Sequence, residues 1–237
     1  MKSTVPCPDG VKNGTMRIFH KSGTLWNSLE YIDGVVQDTM RFYYSKTGKV
    51  LRAVPMKDGK KNGRAVEYDK KDQIVKTIDY KDGLRDGAIT TFFASGGTQE
   101  ITHYKTGYKE GSYEAYLADG TKIREGLYLE DKKRGKWRIF RADASPLASF
   151  AYVQGVRHGA FGVFRPSGVP YITGNFYYGK INGPIKYYNK SGSIINDFEF
   201  NDSELYQDRS YKVARIPYLP MNSRLQIVIE SDTVLIR

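Results

Sequence analysis

The sequence predicts an all-β fold, an elongated open array of antiparallel β-hairpins finished by a C-terminal β cap. Three observations lead there. Glycine recurs on a period of about 24 residues, and aromatic rings recur in two fixed phases of that period. No stretch keeps a helical pattern over the roughly 10–12 residues that a helix requires.

Residues 1–9 form a short lead-in. The array proper spans 10–202 in eight units, opened by Gly10, Gly34, Gly59, Gly83, Gly107, Asp131, Gly155 and Gly179. Four residues beyond the opening position lies a second glycine (Gly14, Gly63, Gly87, Gly111, Gly135, Gly159 and Gly183), with Asp38 as the exception. Only glycine takes positive φ without steric cost, so each GxxxG step reads as a tight turn. A strand follows, such as RAVEY at 64–68, then a second turn near Gly23, Gly48, Gly96, Gly120, Gly168 or Gly192. The return strand, such as IVKTIDY at 74–80, leads into the next unit.

Nine residues after the opening position stands Phe19, Tyr43, Tyr68, Phe92, Tyr116, Phe140, Phe164 or Tyr188. About 21 residues after it stands Tyr31, Met56, Tyr80, Tyr104, Tyr128, Tyr152, Phe176 or Phe200. Aromatics favour strands, and stacked in register they form one apolar stripe that holds neighbouring hairpins together. These rings are expected in the core. Two units depart from the pattern. The second carries an extra residue and Pro55 in its return strand, and the sixth has Asp131 for glycine and RADASPL at 141–147, where a bulge or looser loop is expected. Residues 203–237 lose the register. There KVARIPYLPMN, turn-prone at Pro217 and Pro220, precedes two β-forming runs, LQIVIES and TVLIR, about a turn at Ser231–Asp232. This tail is read as the cap that covers the open sheet edge.

The chain carries 37 Lys and Arg against 26 Asp and Glu, a formal charge of +11, which favours acidic partners. Its single cysteine, Cys7, leaves no intramolecular disulfide. The opening MKSTVPCPDG lacks the apolar stretch of a signal peptide, and a cytoplasmic protein is expected.

The repeated G-xxx-G followed by an aromatic resembles the MORN repeat, and more closely its bacterial variant in YwqK-type antitoxins. The best matches are DGKKNGRAVEYDKKDQIVKTIDYKDG at 58–83 and YGKINGPIKYYNKSGSIINDFEF at 178–200, and the resemblance covers 9–202. It implies a protein-interaction module, an antitoxin or immunity-like partner that binds and blocks an effector.

No constellation in the sequence points to catalysis, a cofactor or a metal. His20, His103 and His158 fall in different units, with His158 read as an exposed turn residue. Cys7 has no base near it in sequence, and GKKNG lacks the GK[ST] ending of a phosphate loop. What repeats instead is positive charge. The middle of the GxxxG step is Lys12, Lys61, Arg85, Lys109, Lys133 or Arg157, reinforced by Lys132 and Arg134 and with Trp137 beside it. These nine residues are the candidate binding row, and its expected partner is a protein with an acidic surface. A structural scaffold, or an electrostatic binder of nucleic acid or anionic lipid, is the alternative.

Overall fold

The computed structural model describes residues 2–202, 204–208, 227–230 and 233–236. Apart from one 3-10 turn at Pro8–Gly10, no helix occurs among them, and the strand pairings are antiparallel. The chain divides into two compact units, Met1–Arg134 and Gly135–Arg237, and the division falls within the strand Lys132–Phe140.

The first unit is a meander. Lys2–Thr4, from the lead-in, pairs with Gly14–Phe19. The chain then runs through Leu25–Ile32, Val35–Tyr43, Val50–Lys57 and the interrupted strand Lys60–Lys61 with Gly63–Tyr68. Ile74–Lys81, Leu84–Phe92, Thr98–Lys105, Tyr108–Tyr116 and Lys122–Leu129 complete it. In the second unit, residues 135–140 pair with Pro146–Val153, followed by Val156–Phe164, Pro170–Tyr177, Lys180–Ile181 with Gly183–Tyr188, and Ile194–Asn201. Glu204–Asp208 adds one more strand beside Ile194–Asn201. Ile227–Glu230 and Thr233–Ile236 form a hairpin that is a sheet of its own. The segment 212–222 of the expected cap lies outside the described residues.

The GxxxG step is two devices rather than one turn. Its first glycine ends a two-residue loop in which both residues have positive φ, as in Asp82 (50°) and Gly83 (87°), the requirement of a type I′ hairpin turn. The next residues have already entered the following strand. The second glycine sits in a β-bulge: Tyr80 pairs with Arg85 and Ile78 with Ile89, so Asp79 alone faces Asp86, Gly87 and Ala88. A Cβ on Gly87 would come within 2.8 Å of the Asp79 Cβ, at a φ of +114° that side chains resist.

The irregular units keep both devices. Asp38 takes φ 59° at the bulge. Asp131 takes φ 63° in the loop, where its Oδ1 accepts the Lys109 N–H at 2.8 Å. The extra residue of the second unit is absorbed in its second turn, where the Gly48 N–H reaches back four residues to Tyr44 instead of three. Pro55 lies in a strand opposite Thr39 and accepts the Asn62 N–H through its carbonyl.

No looser loop forms at 141–147. The Arg141 N–H bonds the Ser145 carbonyl and the Ala144 N–H that of Arg141, the same closure as Arg165–Val169 and Gly168–Arg165 one unit later. Ala144 stands where six other units have glycine and the third has Asp72, and it adopts φ 62°. The left-handed region costs a residue with a Cβ about 1–2 kcal/mol, partly offset by the larger unfolded-state entropy of glycine. Ala144→Gly is therefore expected to stabilise the protein by about 0.5–1 kcal/mol, a rise of roughly 1–4 °C in melting temperature. Ala142→Gly in the same turn, where φ is not positive, is expected to lower it.

Register separates two faces. The core lies on one of them, in two columns six and 19 residues past the opening position. These columns meet as cross-strand pairs: Met16–Leu29, Ala65–Ile78, Ile89–Thr102 and Tyr113–Gly126 in the first unit. Trp137–Phe150, Phe161–Gly174 and Ile185–Phe198 are the pairs of the second. Tyr113 and Phe161 are each set against glycine, which leaves room for the ring, whereas Trp137 meets a second ring in Phe150 and Ala65 meets Ile78.

The two regular aromatic phases do not form one stripe. Tyr31, Tyr80 and Phe176 share the core face, but Tyr43 and Tyr188 lie on the polar face, their hydroxyls 2.9 and 3.0 Å from Ser28 and Thr173. Most of these rings are half-buried, Phe176 being an exception at 7% exposure.

Candidate functional site

In the first unit four of the predicted basic residues sit in strands or loop flanks, each over an aromatic ring. Lys12 lies 5.0 Å from the centre of Tyr31, Lys61 5.0 Å from Tyr80, Arg85 4.5 Å from Tyr104 and Lys109 4.9 Å from Tyr128. Arg85 and Lys109 are also the cross-strand partners of Tyr80 and Tyr104. Cation and ring thus alternate along one margin of the core face: Lys61, Tyr80, Arg85, Tyr104, Lys109, Tyr128. Each such contact is worth about 0.5–1 kcal/mol at an exposed site.

The backbone fixes the spacing. The carbonyls of Lys12, Lys61, Arg85 and Lys109 accept N–H bonds from Gly34, Gly83, Gly107 and Asp131, the loop positions of the following hairpin, at 2.8–3.1 Å. Arg85 also donates to the Gly107 carbonyl at 3.0 Å. Lys12, Lys61 and Arg85 are exposed and Lys109 is half-buried. Burial is the main cause that raises the Tyr104 phenol, against the opposing effect of Arg85.

Lys132 and Arg134, at the end of this unit, are exposed, and Lys133 is half-buried. Arg157 holds the equivalent place in the second unit, 5.1 Å from the Phe150 ring centre and 5.5 Å from that of Phe176. Trp137 does not join a surface row. It is 3% exposed, paired with Phe150 and set edge-on to Tyr152, because it occupies the core phase six residues past Asp131. His158 is also not an exposed turn residue: it is half-buried against the rings of Tyr177 and Tyr178 at 5.2 and 4.7 Å.

The turn margin of the first unit also exposes apolar side chains that the sequence reading missed: Val11, Ile32, Val35, Leu84 and Tyr108. Val11, Val35, Leu84 and Tyr108 all directly follow the opening glycine, which is the signal that would have found them. Exposed cations interleaved with exposed apolar groups give a surface suited to a protein interface, where arginine and aromatic residues are enriched.

The polar face of the same unit carries ionisable groups tied to one another. Arg64 donates two bonds to Asp79, at 2.7 and 2.9 Å, and these hold the Asp79 carboxyl below its usual range against the opposing effect of burial. His103 Nδ1 lies 2.9 Å from Ser112 Oγ. The same nitrogen lies 3.1 Å from the Ser112 carbonyl. On the core face, burial pushes the Tyr113 phenol up to about 12, and its hydroxyl donates to Glu100. Among the described residues no cluster of three or more His, Cys, Asp and Glu could hold a metal ion, and no helix is long and apolar enough to cross a membrane. The Cys7 thiol is free and exposed.

No family model matches the chain, and no curated protein matches it. Fold and site together define an all-β hairpin-repeat scaffold with a cation-lined margin.

Proposed function

We propose that the chain is a non-catalytic scaffold that binds an acidic protein through the turn margin of its first unit. The alternating column from Lys61 to Tyr128 carries this reading. Ring faces hold the cations in a regular row, and like charges so ordered are relieved by an acidic surface that docks on them. Leu84 and Tyr108 beside the row offer apolar contact area. The in-frame resemblance to MORN-type antitoxin repeats makes that partner an effector protein that the scaffold blocks.

Nucleic acid fits less well, because a cation lies over each tyrosine of the column and competes with a base for its face. The test is co-purification of the tagged protein from its native cells at moderate and high salt, with and without nuclease. A stoichiometric acidic protein that survives nuclease is expected. Combined Lys61→Glu, Arg85→Glu and Lys109→Glu is expected to weaken its binding at least about tenfold, whereas Lys70→Glu with Lys71→Glu in a second turn leaves it unchanged. Loss of all bound material on nuclease treatment would sink the proposal.

A further inference from the structure

The polar face of the second unit holds a groove of about 430 Å³. Its floor is built of small groups: Ala151, Ala160 and Gly162, with Ser149 and Thr173 beside them. The Phe164 ring lies flat on that floor, since a Cβ on Gly162 would come within 2.8 Å of its Cζ. The Tyr188 hydroxyl is tied to Thr173 at 3.0 Å. Both rings are thereby held in place.

Lys136 and Lys186 line its two ends. They stand on the first and fifth of five neighbouring strands, four strand spacings or about 19 Å apart. Among the described residues no ion pair engages either ammonium, and no carboxylate lines the groove. Asp197 and Glu199 lie one strand beyond, across from Lys186 and Pro184. Arg138 stands two residues along the strand from Lys136 and opposite Ser149 of the groove, so positive charge marks both ends of a floor of small side chains, and the electrostatic complement is an extended chain with negative charge near both ends.

We propose that this groove docks an extended acidic peptide segment of a partner protein, running across the strands from Lys136 to Lys186. A span of about 19 Å takes roughly six residues at about 3.3 Å each. Carboxylates near the two ends meet the two ammonium groups, and small side chains between them rest on the alanine and glycine floor. A nucleic acid strand, with a phosphate at every nucleotide, needs a continuous series of cations, which this floor does not supply. The site is separate from the margin of the first unit and does not depend on the function proposed for it.

The test is fluorescence anisotropy on the full chain at low salt, with a labelled heptapeptide bearing two Glu at each end and Ala-Gly-Ala between. The peptide is expected to bind, and its Gln counterpart is not. Lys136→Gln with Lys186→Gln is expected to weaken binding about tenfold or more. Ala160→Leu, which fills the floor at an exposed position, is expected to do the same, whereas Lys70→Glu in a second turn of the first unit changes nothing. Thermal melting checks that each variant is folded, and the surface pair decides the matter if the leucine variant is not. Four results would overturn the proposal: no binding, equal binding of the Gln peptide, indifference to the lysine pair, or displacement by an oligothymidylate of equal charge at the same concentration.

Discussion

Gly174→Val is expected to destabilise the second unit by about 3 kcal/mol or more, beyond the usual range for a single overpacking change. A Cβ built on Gly174 would lie 2.2 Å from Ile185 Cδ1 and 2.8 Å from Phe161 Cε1, where carbon atoms in contact keep about 3.5–4.0 Å. Neither neighbour can yield, since Ile185 is fully buried and Phe161 is 3% exposed within one continuous cluster with Phe150, Ile172 and Phe176. Gly174 does not take positive φ, so valine brings no backbone penalty of that kind and the loss reports packing alone. Urea denaturation followed by Trp137 fluorescence in a Trp26→Phe background measures it in this unit. Ile185→Ala is expected to relieve part of the damage, so the double variant loses less than the sum of the two singles. A loss under about 1 kcal/mol would mean that the sheet opens easily here and that the ring–glycine pairing is not what sets the core.

That pairing also shows what the sequence could and could not reveal. The turns were legible because positive φ restricts the choice of residue: Gly83 and Gly87 announce a loop and a bulge, and the aspartates at 38 and 131 substitute at the lowest steric cost available to a residue with a side chain. The core columns were not legible as a repeat. Ala65, Ile89, Tyr113, Trp137 and Phe161 share one phase yet range from the smallest apolar side chain to the largest, and their partners across the strand range as widely, from Gly126 and Gly174 to Phe150. The basic row was legible as charge at a fixed phase, but its setting was not drawn out. Lys12 and Tyr31, Lys61 and Tyr80, Arg85 and Tyr104, and Lys109 and Tyr128 are each 19 residues apart, and that constant offset places every cation on the ring of the following hairpin. The groove between Lys136 and Lys186 gave no sequence signal, because small residues at alternate strand positions become a hollow only when five strands lie side by side.

Trp137→Ala separates two roles that its sequence neighbourhood confounds. Beside Lys132, Lys133 and Arg134 a tryptophan reads as an interface anchor, whose removal would weaken binding and leave folding intact. In the structure the indole is buried at 3% exposure, opposite Phe150 and edge-on to Tyr152 with centroids 6.2 Å apart. Truncation there removes the largest side chain of the cluster around it and leaves a cavity that Phe150, itself locked at 2% exposure, cannot fill. The expected loss is about 3–5 kcal/mol of stability. Trp137→Phe keeps a ring in the pocket and is expected to lose much less. Because the effect acts through folding, partner capture is expected to fall only as far as the folded fraction falls, and to recover at lower temperature for as long as the variant remains folded. A Trp137→Ala variant with an unchanged urea midpoint and a lost partner would return the residue to the surface row and overturn its placement in the core.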